Sequence, residues 1–197
     1  MSFDFLALSN ESNRVTSDFD LNVSVKVDRK TLVPAAVLII IRLSQSSPTV
    51  VFTKRAWALK NHPGQISFPG GRVDKTDENA LSTALREAEE EVGLNKKNVT
   101  ILGRLPSHQT GTGFKVAPFV SAVDESSQFW PNSREVDEIF EVPLDFLLNK
   151  KNMKVQKLMI NRKEKRYYTI PYGPYYIWGA TAHMIKTFSD RSRVDGN

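Results

Sequence analysis

"REAEEEVG", residues 86–93, puts four glutamates into five consecutive positions. On a helix, like charges three and four residues apart cost about 0.2–0.5 kcal/mol per pair. Solvent, the neighbouring Arg86 or a bound cation must offset that repulsion. With Glu87 at the origin of a wheel turning roughly 100° per residue, Leu81, Leu85, Ala88 and Val92 gather on one apolar stripe. Glu90 and Glu91 fall within about 60° of Glu87 on a separate face, and Glu89 points elsewhere. Arg86, one turn before Glu90, can brace that carboxylate. The pattern predicts a helix over Glu78–Val92, with Asp77 as its N-cap and Gly93 as its stop.

Three carboxylates on one face suit a hard divalent cation that prefers oxygen ligands and keeps several waters, which points to Mg2+ or Mn2+. A solvated acidic surface helix carries the same pattern. The loop before the helix weighs on the choice. "FPGG", residues 68–71, brings in glycines that let backbone carbonyls and amides approach a metal or a phosphate closely.

Working outward, 197 residues suit one globular domain, and 40% hydrophobic with 25% charged residues is ordinary soluble composition. A net charge of +5 suits an anionic partner, either nucleic acid or a phosphorylated small molecule. No aromatic and basic recognition motif supports nucleic acid. With no cysteine, disulfides, thiolate metal sites and a cysteine nucleophile are excluded. The longest apolar run, Leu32–Ile41, closes at Arg42 after about half the length of a membrane span and reads as a buried strand. "MSFDFLALSNESNR" lacks a basic segment followed by a long apolar core, so a cytoplasmic protein is expected.

Residues 1–31 read as a polar lead-in, with weak alternation at Leu21–Val27 suggesting an edge strand. "AAVLIII" and "TVVFTKR" (Thr49–Arg55) are expected to pair as a hairpin across the turn-rich "SQSSP". Asn61–Asp77 reads as a loop with a brief extended piece at Gln65–Phe68. Strands are predicted at Val99–Leu105 and Phe114–Val123, and a strand that turns at Pro143 into a short helix at Asp137–Asn149. "KVQKLMI" and "RYYTIPY" suggest another hairpin, and Trp178–Arg191 a closing helix. Residues 191–197 are left as a tail. The mixture, without strict βαβ alternation, predicts an α+β fold over residues 32–190, with a mixed sheet flanked by helices.

"GGRVDKTDENALSTALREAEEEVGL" resembles the signature of the Nudix hydrolases. Arg86, Glu87, Ala88, Glu90, Glu91, Gly93 and Leu94 match its second half, and seven residues separate Glu78 from Arg86 as the signature requires. Gly71 lies one residue farther from Glu78 than the general pattern has it. The longer loop, and "LKNHPGQISFPGG" with "TKR" before it, are similar to the coenzyme A pyrophosphatase branch. "VAPFV", "EVDEIFEVPL" and "YYIWGATAHMI" extend the likeness, which covers most of residues 32–188.

The resemblance implies an α/β/α Nudix sandwich and hydrolysis of a small-molecule diphosphate, here coenzyme A. It implies Glu87, Glu90 and Glu91 as metal ligands, with the carbonyl of Gly70 or Gly71 a further one. Arg86 would orient glutamate, and Glu78 would support the loop. The general base is Glu87 itself or a glutamate from a later loop, for which Glu135 and Glu138 are candidates. Lys54, Arg55, Lys60, His62 and Gln65 are candidates for phosphate contacts. For His62 the alternative is a loop hydrogen bond positioning Gln65 or the glycines. His108 and His183 are expected in core or helix-surface roles. Trp130, Trp178, Tyr175 and Tyr176 are suited to stacking on adenine, although aromatics near element ends are ordinarily core. ADP-ribose, a dinucleoside polyphosphate or a nucleoside triphosphate would use the same helix, and a non-catalytic binding module would keep the fold alone. The basic segments near Lys150 and Lys163 face substrate, the second subunit of a homodimer, or water.

Overall fold

The computed structural model describes residues 3–4, 15–22, 32–160 and 163–194. In chain order the elements are β1 (Phe3–Asp4), β2 (Thr16–Ser17), β3 (Val33–Arg42), β4 (Thr49–Arg55), β5 (Ile66–Ser67), β6 (Gly70–Arg72) and α1 (Ala80–Val92). There follow β7 (Thr100–Arg104), β8 (His108–Gln109), β9 (Phe114–Val123), β10 (Val136–Pro143) and α2 (Leu144–Leu148). The chain closes with β11 (Lys154–Ile160), β12 (Lys163–Tyr172), β13 (Tyr175–Trp178), α3 (Gly179–Arg191) and β14 (Arg193–Val194).

The apolar run after Leu32 becomes β3, the strand that organises the rest. Ala35, Ile39 and Ile41 face a core shared with Phe52, Phe68, Ile170, Ile185 and Phe188. Ala36, Leu38 and Ile40 face the opposite core, with Ala84, Ala88 and Val92 of α1. A strand buried on both faces reads as a continuous apolar run rather than an alternation. Each such isoleucine or leucine contributes about 1.5–3 kcal/mol of burial. The main sheet runs β10-β4-β3-β9-β8-β2, mixed in direction, with α1 on one face and α2 and α3 on the other. This is the expected α+β Nudix-type sandwich. β11, β12 and β13 form a separate three-stranded sheet, as their pattern predicts for the first two.

The expected β3–β4 hairpin exists only at its base, at Ile41↔Val50 and Arg42↔Thr49. Beyond it the strands part. β3 pairs in parallel with β9 along its whole length, while β4 pairs with β10. Between the parted strands, β5 lines up on β4 and β6 on β3, so the glycine loop is wedged into the fork. The expected hairpin holds at its base and stops there because β5 and β6 of the glycine loop take the facing edges of β4 and β3 that a longer hairpin would pair.

The edge strand expected at Leu21–Val27 lies, beyond Asn22, outside the described residues. Thr16–Ser17 add instead as a parallel strand to His108–Gln109. Arg193–Val194, within the expected tail, pair with Phe3–Asp4 of the lead-in. Among the described residues no helix is long and apolar enough to cross a membrane.

Candidate active site

Helix α1 starts two residues later than its charge pattern suggests, at Ala80 rather than Glu78. Asn79, not Asp77, is the N-cap, with its side-chain oxygen accepting from the Ser82 amide at 3.0 Å. Gly93 ends the helix in the left-handed region, φ 67°, as predicted. Asp77 does a different job. It takes the Arg86 fork on both oxygens, at 3.0 Å each, and also accepts from the Thr83 hydroxyl at 2.8 Å. That guanidinium, with the Asp74 amide, holds the Asp77 carboxyl well below the usual carboxylate range. The remaining Arg86 nitrogen donates to Glu87 at 2.9 Å and to Glu90 at 3.1 Å. Arg86 therefore ties the entry turn to two of the three glutamates, more than the single brace to Glu90 that spacing alone indicated.

The acids of the helix sit in very different surroundings. Glu91 is 3% exposed, and burial pushes its carboxyl up to about 8. Its partners are the Gly70 amide at 3.2 Å and Arg55 at 4.0 Å. Burial also raises Glu87. A Cβ on Gly71 would lie 2.4 Å from the Glu87 carboxylate, so only glycine leaves room for it there. Glu90 is half exposed, while Glu89 turns away to Lys96 at 2.7 Å. A buried acid held neutral, with two more beside it, is a donor set short of positive charge. It fits a hard divalent cation, which Glu87, Glu90 and Glu91 would hold.

The two later glutamates part company. The loop carrying Glu135 docks on the end of α1 through the Trp130 amide to the Val92 carbonyl at 2.9 Å and the Asn132 amide to the Glu91 carbonyl at 3.0 Å. Its charge is close enough to raise both Glu87 and Glu91. Glu138 is not brought there. It accepts from the Tyr175 hydroxyl, faces Lys54 at 3.7 Å, and lines a different cavity with Tyr176 and Trp178.

Arg55 and Lys54 are neighbours on β4, so they leave opposite faces of the strand. Arg55, His62 and Gln65 line a cavity of about 530 Å³ whose floor includes Gly70 and Gly71. Lys54 faces Glu138 instead, Lys60 is exposed and lines neither cavity, and Glu78 is exposed outside the Arg86 network. His62 adopts φ 56°, rare for a residue with a side chain, and its carbonyl accepts from the Gln65 amide at 3.2 Å. His62 thus lines the cavity, and it is its backbone carbonyl, not its ring, that meets Gln65 in the loop. Arg55 Nε is buried without an acceptor, a donor ready for an anion. Arg72 and Phe114, stacked 5.3 Å apart on the cavity wall, carried no sequence signal, because they come from a loop end and a distant strand.

The aromatics depart from the core expectation. Trp130 is 65% exposed, and Tyr176 and Trp178 are exposed as well; Tyr175 alone packs inward. His108 and His183 are buried as expected, but against each other and against Asp18.

A family model described as NUDIX domain matches residues 32–162. NudL of Pectobacterium atrosepticum, described as an uncharacterized Nudix hydrolase, is 43% identical over 155 residues, spanning 77% of this chain and 78% of that protein. NudL of Yersinia pestis (strain Pestoides F), described likewise, is 40% identical over 162 residues, spanning 81% and 80%. Among solved structures, the NUDIX domain of Shewanella oneidensis NrtR, complexed with ADP ribose, superposes with a TM-score of 0.53 at 13% identity. It covers 86% of this chain and 92% of that one, a likeness of fold. The matched span contains the whole glutamate helix, its glycine loop and the parted strands that hold them, and the chain belongs to the Nudix hydrolases, which act on nucleoside diphosphate derivatives and generally use divalent metal ions.

Proposed function

We propose that the chain hydrolyses the diphosphate of coenzyme A or its derivatives to 4'-phosphopantetheine and adenosine 3',5'-bisphosphate, with Mg2+ or Mn2+. The observation that carries this reading is the placement of "NHPGQISFPGG". The segment that resembles the coenzyme A branch supplies much of the cavity wall next to the glutamates, where a substrate's diphosphate would be read.

Glu87, Glu90 and Glu91 would hold a divalent cation, whose charge would neutralise the diphosphate and lower the pKa of water. The chain's own residues do the rest. Arg86 holds Glu87 and Glu90 in place through a fork anchored on Asp77. Arg55, with its free Nε, binds a phosphate oxygen, and His62 and Gln65 line the path of the substrate. Glu135 takes the proton of the attacking water, because it neighbours the cluster whereas Glu138 is engaged by Tyr175 and Lys54.

Turnover of coenzyme A, ADP-ribose, a dinucleoside tetraphosphate and a nucleoside triphosphate, compared under excess Mg2+, tests the substrate. Coenzyme A is expected to give the highest kcat/KM, and a higher value for ADP-ribose would overturn the choice. Glu90→Gln, folded but inactive, is the expected control; a folded variant with full turnover would overturn the catalytic reading.

A further inference from the structure

We propose that Asp18, His108 and His183 form a second metal site, of the zinc class, that fastens residues 15–22 onto the catalytic domain. The three come from separate parts of the chain: the turn after β2, strand β8 and helix α3. Their donor atoms all lie within 4.8 Å of one another. The His108 and His183 rings meet edge to face at 4.8 Å between centroids.

The chemistry of the donors chooses the ion. Two imidazoles and a carboxylate suit Zn2+ or Co2+, whereas Mg2+ takes oxygen ligands such as the glutamates of α1. His108 is fully buried, with Nδ1 2.9 Å from the Thr16 hydroxyl and Nε2 2.8 Å from Asp18. With an ion on Nε2, the ring proton sits on Nδ1 and donates to Thr16, the outer hydrogen bond that orients a ligating histidine. Asp18 is itself oriented by the Gly111 amide, at 2.7 Å from its other oxygen.

A fourth donor stands beside them. Asp20 lies 3.5 Å from His183 Nε2, close to the roughly 3.4 Å edge of a tetrahedron with metal–ligand bonds of about 2.0–2.1 Å. An ion would replace the hydrogen bond between Asp18 Oδ1 and His108 Nε2, 2.8 Å apart, and would draw on the Asp20 oxygen that accepts from the Ser17 amide at 3.0 Å, changes open to short side chains on a surface turn. Asp18 and His183 also line a cavity of about 140 Å³, which gives an ion a route in. An ion here joins contacts that already dock the segment. These are the β2–β8 pairing and the Asn22 amide, which bonds the Arg166 carbonyl and amide at 2.9 and 2.8 Å.

The test measures Zn2+ retained per chain after desalting in excess Mg2+, which occupies the glutamates, alongside thermal unfolding. One Zn2+ per chain and a raised melting temperature are expected. Retention should fall at least tenfold in His183→Gln and in Asp18→Asn, and stay unchanged in Glu90→Gln. No retained Zn2+, or equal retention in the folded His183→Gln chain, would overturn the site. If either variant fails to fold, the Co2+ spectrum of the unaltered protein in excess Mg2+ decides. Intense visible bands of four-coordinate cobalt support it, and the weak bands of octahedral cobalt overturn it.

Discussion

Glu87, Glu90 and Glu91 lie within one and a half turns of a single helix, whereas Asp18 and His108 are 90 residues apart and meet only through the tertiary fold. The glutamates are all-oxygen, and their exposure grades from buried Glu91 to half-exposed Glu90 beside an open cavity. The other cluster is rich in nitrogen, and its histidines are closed off from solvent. A graded oxygen cluster next to a substrate cavity can hold a cation that exchanges waters and meets phosphate. A largely buried histidine pair beneath residues 15–22 suits an ion that fastens that segment.

The largest expected effect falls on the first cluster. Glu91→Gln should lower kcat/KM about a thousandfold, roughly 4 kcal/mol of transition-state stabilisation. The same variant, metal-free at neutral pH, should melt no lower than the unaltered protein, because it removes a carboxylate that burial disfavours in its charged form. Loss of both activity and stability would mean that Glu91 is structural. Next, Glu135→Gln should cost about a hundredfold in kcat, within the range of a lost general base. Glu138→Gln should cost far less, and equal losses would erase the distinction between the loop glutamate and its neighbour on β10. Gly71→Ala should weaken Mg2+ binding about tenfold or more by pushing Glu87 off its seat, with the fold retained by circular dichroism.

The smallest effect is the pH dependence of metal binding. With the Glu91 carboxyl raised from 4.5 to about 8 in the metal-free protein, a proton must leave before a cation binds. Mg2+ affinity should therefore climb by up to about tenfold per pH unit from pH 5 toward 8 and then level off. For the metal-free fold the sign is opposite. Between about 4.5 and 8 the folded chain keeps a proton that the unfolded chain has lost, so stability falls as pH rises through that window. Titration calorimetry and thermal melts across the range check both.

The glutamate face was legible because a helix repeats every few residues, and Leu81, Leu85, Ala88 and Val92 mark its core side without reference to anything distant. Gly93 was legible as a local stop for the same reason. The role of Asp77 as the Arg86 anchor is not legible, since an acid at a helix entry reads equally as a cap, and Asn79 two residues on competes for that place. Strand β3 was recognised, but its main partner β9 comes some 80 residues later, and no periodicity encodes such a pairing. Core or helix-surface roles for His108 and His183 follow from their own stretches, but their partner does not, because Asp18 sits in a polar segment with no pattern of its own. Trp130 and Trp178 show the converse, bulky residues near element ends that the fold leaves on its surface.

Hydrolysis of coenzyme A in ¹⁸O-labelled water with excess Mg2+, followed by mass spectrometry of the products, tests the central claim most directly. The expected products are 4'-phosphopantetheine and adenosine 3',5'-bisphosphate, one of them carrying a single ¹⁸O, with product formation abolished in Glu90→Gln. Intact coenzyme A under conditions where ADP-ribose is consumed would contradict it.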